Sequence, residues 1–140
     1  MKHMAPLLGI NLQSQEWERP VADSEKGVGF FQNTIVRTLM TVSLLLALLS
    51  FGVVAYFIRP SESLLVLHYN VYFGVDMLGV WWQAYILPVI NLFFFAGHLL
   101  LAKRFYMRAE RIASYLLLLS AGFLGLAVLV AALSVAFINY

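Results

Sequence analysis

An all-α membrane protein of three transmembrane helices, with a short β-strand or hairpin in the loop between the first two, is the fold class this sequence predicts. Three apolar runs carry that expectation, over about 38–58, 81–102 and 112–138. Each meets the length of about 20 residues that a helix needs to cross a bilayer. Charge is scarce: the chain is 62% hydrophobic and 11% charged, against roughly 25% charged in soluble domains. The loop between the first two runs alternates and is rich in β-branched and aromatic residues, which reads as strand.

The N-terminal segment, 1–36, mixes short apolar and polar pieces. Pro20, Gly27 and Gly29 interrupt any helical pattern. It is expected to be a cytoplasmic segment, partly flexible, with a candidate interfacial helix over Phe30 to Val36. Trp17, Phe30 and Phe31 are suited to the headgroup layer, where aromatic rings accumulate. A cleaved signal peptide is not expected. The first apolar run begins far from Met1 and exceeds the apolar core of such a peptide, about 7–15 residues.

The three spans make up a transmembrane domain over 37–140. Pro60 is expected to stop the first. In the second, Pro88 is expected to bend the helix by removing a backbone donor and crowding the preceding turn. Asn91 lies near the middle of this span, where an amide needs a hydrogen-bond partner from a neighbouring helix or a freed carbonyl. His98 is read as an interfacial or satisfied histidine. The third span carries small residues at helical spacing: Ala121 with Gly125, Ala127 with Ala131, and Ala132 with Ala136. Ser43 and Ala47 repeat that spacing in the first. Small residues let helices approach closely in lipid.

Orientation follows from the loops. The segment Lys103 to Arg111 holds four basic residues, and Lys26 and Arg37 flank the first span. Short basic loops stay cytoplasmic. A cell-membrane protein with cytoplasmic N-terminus and extracytoplasmic C-terminus is the expectation. The loop at 61–80 then lies outside, with Trp81, Trp82 and Tyr85 at the outer interface.

That loop holds the candidate interaction residues. Read as one strand, Leu65, Leu67, Tyr69, Val71, Phe73 and Val75 share a face, and His68, Asn70, Tyr72 and Asp76 share the other. In an extended chain His68 and Asp76 stand more than about 20 Å apart. They meet only if the chain turns near Asn70 or Gly74. A lone apolar strand invites aggregation, so the segment is expected to form a hairpin, lie on the membrane, or join a partner's sheet.

Several classes of chemistry lack their residues. The chain has no cysteine, which removes disulfides and thiolate chemistry. No GxxxxGK[ST], HExxH or GxSxG occurs. His3, His68 and His98 fall at different depths, so no bis-histidine haem is expected, and no cofactor or metal is assigned. No charged residue lies in the core of a span, where proton and ion pathways place them. A net charge of +2 argues against a nucleic-acid partner.

The run His68-Tyr69-Asn70-Val71-Tyr72-Phe73-Gly74-Val75-Asp76, followed by Gly79 and Trp81, resembles an HYNxYFGxD-type pattern. That pattern is associated with small, uncharacterised multi-pass membrane proteins of bacteria with reduced genomes. The resemblance covers about a tenth of the chain. It implies a bacterial membrane and a role for the loop, but no activity.

The leading expectation is a structural or accessory component of a membrane complex. It would contact the lipid bilayer and either another membrane protein or a second copy of itself, with 61–80 as the interaction surface. The alternative is an oligomeric binding or transport protein for an apolar or lipid-like ligand, built on Pro88, Asn91 and the Trp81–Trp82–Tyr85 cluster. An enzyme is the weakest reading and would require His68, Tyr72 and Asp76 to converge.

Overall fold

The computed structural model describes residues 28–140. Most of the expected N-terminal segment, Trp17 included, lies outside the described residues.

After a short 3-10 turn at Phe30–Gln32, helix α1 runs over Thr34–Phe57. It starts where it does because Asn33 caps it. The Asn33 Oδ1 accepts the backbone N–H groups of Ile35 and Val36 at 2.9 and 3.2 Å, two of the donors that a helix start leaves unpaired. The helix ends ahead of Arg59-Pro60, where a residue preceding proline is pushed out of helical geometry.

Two antiparallel strands follow, β1 over Leu65–Asn70 and β2 over Gly74–Gly79. A 3-10 helix at Trp81–Tyr85 leads into helix α2, Ile86–Met107. Pro88 therefore sits in the first turn of α2. Just before the proline, where a bend is expected, the segment changes from 3-10 to α geometry. A first-turn proline removes no intrahelical bond of its own helix, since those N–H groups lack partners there anyway.

α2 continues through Lys103 to Met107, which shortens the basic connection to Arg108–Glu110. The turn is a Schellman-type cap. Ala109 N–H donates to Tyr106 O and Glu110 N–H to Phe105 O, both at 3.1 Å. Ala109 takes φ 63°, a conformation in which glycine is far more usual. Helix α3, Arg111–Asn139, completes the chain.

α1, α2 with its 3-10 lead, and α3 are each long and apolar enough to cross a membrane. At 1.5 Å per residue the 24 residues of α1 span about 36 Å, against a hydrocarbon core of about 30 Å. The chain is thus a three-helix membrane protein with one small hairpin.

α3 is the central helix, packed on both others. Its buried residues are Ser114, Leu118, Ala121, Gly125, Val128, Ala132 and Ala136. They are spaced by steps of three or four residues, the seam of left-handed helix packing. Ser43, Ala47 and Ser50 of α1 are buried as well. The approach is close: a Cβ placed on Gly125 would lie 3.2 Å from the Cβ of Leu46. Ser43 Oγ stands 2.8 Å from its own Leu39 carbonyl and 3.2 Å from that of Leu118, so one hydroxyl proton is shared across the seam. Ala127 and Ala131 lie off this seam, Ala127 exposed and Ala131 half-buried.

Larger apolar residues collect at the two ends. Phe30, Val36, Ala102, Tyr106 and Leu118 form one cluster; Val54, Ile58, Ala84 and Ala132 form the other. The second cluster carries the hairpin, because Leu65 and Leu67 pack onto it together with Trp81, Tyr85 and Val135.

Candidate functional site

The hairpin is made by its turn. Asn70 Oδ1 accepts the Tyr72 N–H at 2.9 Å, a side-chain mimic of a backbone turn that asparagine favours. Gly74 follows at φ 78°, a backbone state open to glycine without a Cβ penalty. The chain therefore reverses over 71–73, and the single-strand arrangement of faces does not apply. Tyr72 stands at the apex, away from any shared polar face.

His68 and Asp76 do meet. The pairs Tyr69–Val75 and Val66–Leu78 set a register in which His68 would oppose Asp76. A local irregularity shifts the His68 backbone to Met77. The side chains still join: His68 Nδ1 lies 2.7 Å from Asp76 Oδ1. In the neutral ring the proton is then on Nδ1, which leaves Nε2 as an acceptor. The pair is open to solvent, with side chains 62% and 41% exposed. Even with both groups charged, a pair this exposed contributes about 0–1 kcal/mol.

The hairpin is locked to the bundle by a residue that sequence reasoning passed over. Asn139, at the end of α3, accepts the Val66 N–H at 2.8 Å and donates to the Val66 carbonyl at 2.7 Å and the Val135 carbonyl at 2.8 Å. It copies the pairing of a third strand on one residue of β1. Its only sequence signal is an asparagine in the last turn of an apolar helix, where lipid would not tolerate an unpaired amide.

What the clamped hairpin displays is apolar. Val71, Tyr72 and Phe73 are 85%, 90% and 84% exposed. Tyr69, Val75, Met77 and Leu78 add to the exposed apolar surface.

At the base of the hairpin a cleft of about 330 Å³ opens between β1, β2 and the start of α2. Leu67, His68, Met77, Gln83, Ala84, Ile86, Leu87 and Val135 line it. Gly79 makes the close packing at this base possible, since a Cβ there would strike Leu67 and Gln83.

Asn91 is separate from the hairpin. It is buried in the bundle at 2% exposure, and its Nδ2 has no partner among the described residues. The expected interhelical hydrogen bond, and the carbonyl freed by a proline bend, are both absent there. Pro88 lies in the first turn and α2 is regular around Asn91. His98 is satisfied as expected for its type: Nδ1 donates to the Phe94 carbonyl at 2.7 Å.

Of the five candidate residues, the fold brings together His68 and Asp76, uses Asn70 to build the turn, places Tyr72 at its apex and leaves Asn91 in the helix seam. The convergence of Tyr72 with His68 and Asp76 that an enzyme reading requires is not formed. Among the described residues no three His, Asp or Glu side chains gather as metal ligands. Comparison with family models, with curated proteins and with solved structures finds no match.

Proposed function

We propose that this protein is a small structural or accessory component of a membrane complex, and that the apex of the hairpin is its contact with another membrane protein. The observation that carries the reading is the run Val71-Tyr72-Phe73, nearly fully exposed in a turn. Hairpin turns normally hold Asn, Asp and Gly. Three consecutive apolar residues in their place leave area uncovered at about 25 cal/mol per Å², and exposed apolar patches of this kind mark contact surfaces. Tyrosine and phenylalanine are also enriched in the cores of protein interfaces. The Asn139 clamp supports the reading, because a contact presented on a held element loses less entropy on binding.

On this reading the hairpin faces outward and the basic end faces the cytoplasm. Among the described residues, Arg37, Lys103, Arg104, Arg108 and Arg111 against Glu110 stand at the basic end, and Arg59 against Glu62 and Asp76 at the other. The HYNxYFGxD-type loop suggests the cytoplasmic membrane of a bacterium.

The test replaces Val71, Tyr72 and Phe73 together by serine in the full chain. The species extracted gently from native membranes should fall to the size of the free protein, with helical content unchanged. A complex of unaltered size would end the proposal. Because the chain has no cysteine, Ser61→Cys, exposed in the same loop and away from the apex, also gives a single labelling site. An impermeant maleimide should react with it in intact cells, and no reaction until lysis would reverse the orientation.

A further inference from the structure

We infer that the cleft at the base of the hairpin is a binding site for a single-chain amphiphile with a hydroxyl head. The site is separate from the apex and does not depend on the assembly reading.

Its form is that of a small-molecule site: concave, mostly apolar, with few polar groups. The volume of about 330 Å³ is many times the roughly 10–15 Å³ that one water needs. That accommodates a head and a short stretch of one alkyl chain. Ala84, Val135 and Leu67 belong to the apolar cluster at this end of the bundle. Ile86 and Leu87 are both lining residues and exposed on the membrane-spanning segment. The cleft therefore opens sideways to lipid, and an alkyl chain can run out between these two residues without meeting water.

The head is identified by the two polar side chains in the lining, His68 and Gln83. Asp76 does not line the cleft. It holds His68 Nδ1, so the neutral ring presents Nε2 as an acceptor. Gln83 Oε1 accepts the Val80 N–H at 2.9 Å, which leaves its amide N–H groups as donors. One acceptor and one donor suit a hydroxyl, which does both. A carboxylate only accepts and an ammonium only donates. Charge points the same way: at this end of the described chain Glu62 and Asp76 outnumber Arg59, which disfavours an anionic head.

The test uses the full chain in phosphatidylcholine nanodiscs with three diazirine probes of equal chain length: an alkyl alcohol, the carboxylic acid and the plain alkane. The alcohol should label Leu67, Met77, Ile86 or Leu87, and bind about fivefold tighter than the acid and about thirtyfold tighter than the alkane, the ratios that one and two ordinary hydrogen bonds supply. His68→Ala should remove the advantage over the acid and leave about fivefold over the alkane, the one bond that Gln83 still supplies. Leu87→Trp, which fills the cleft from its lipid side, should remove labelling by all three. If that variant does not fold, Met77→Trp fills the cleft from the exposed hairpin. The serine variant of the apex should bind the alcohol normally, so failure of the assembly reading is told apart from failure of this one. Equal labelling by alcohol and alkane, or labelling that survives a tryptophan in the cleft, would overturn the proposal.

Discussion

Both ends of the bundle are tied by one asparagine, yet the two ties do different things. At the basic end Asn33 donates to the Tyr106 hydroxyl of α2 at 3.2 Å and the Tyr115 hydroxyl of α3 at 2.9 Å, while its Oδ1 caps α1. Tyr106 passes the bond on to the Val28 carbonyl at 2.6 Å, and Phe30 packs edge-on against its ring. One amide there joins all three helices, with its donors and acceptor in use. At the hairpin end Asn139 joins α3 to a single residue of β1. The basic end is a closed knot of side chains from every helix. The other end is a clamp on an appendage whose apex is left free. The difference separates the part that holds the bundle together from the part that presents a surface.

The largest expected effect follows from breaking the knot. Asn33→Ala removes a helix cap, worth about 1 kcal/mol, and two side-chain hydrogen bonds of about 0.5–1.5 kcal/mol each. The whole bundle should lose about 2–4 kcal/mol, read as the midpoint of unfolding in mixed detergent. A smaller, local effect follows from opening the clamp. Asn139→Ala leaves the Val66 N–H and C=O without their partners, at a cost of about 1–2 kcal/mol. Hydrogen exchange should speed up in 65–79 while the helices keep their protection. Global destabilisation equal to that of Asn33→Ala would erase the contrast between the ends. The smallest effect sharpens it. Asp76→Asn alters an exposed pair and should change stability by less than about 1 kcal/mol. A larger loss would make the pair part of the fold.

Much of this was legible residue by residue. The three spans stand out because each apolar run is longer than a bilayer is thick. The Ala121–Gly125 and Ser43–Ala47 spacings mark the true seam, but Ala127–Ala131 has the same spacing and lies off it. Spacing alone does not say which side of a helix faces its neighbour. Asn33 before an apolar run is an N-cap signal that would have started α1 four residues earlier than the apolar run does. Tyr106 and Tyr115 carry no such mark, because each gains its role only when the ends of α2 and α3 are brought to Asn33.

That the chain crosses a membrane, how many times, and where its charges collect all follow from the order of its residues. Those properties depend on apolar length and local composition. It took the packed fold to establish that the chain reverses over 71–73, that His68 reaches Asp76, that Asn139 holds Val66, and that Asn91 Nδ2 lacks a partner among the described residues. Each of these is a meeting, or a missed meeting, of groups that sequence separates. The reversal depends on a turn that Asn70 and Gly74 permit, and the rest on packing geometry that no local pattern records.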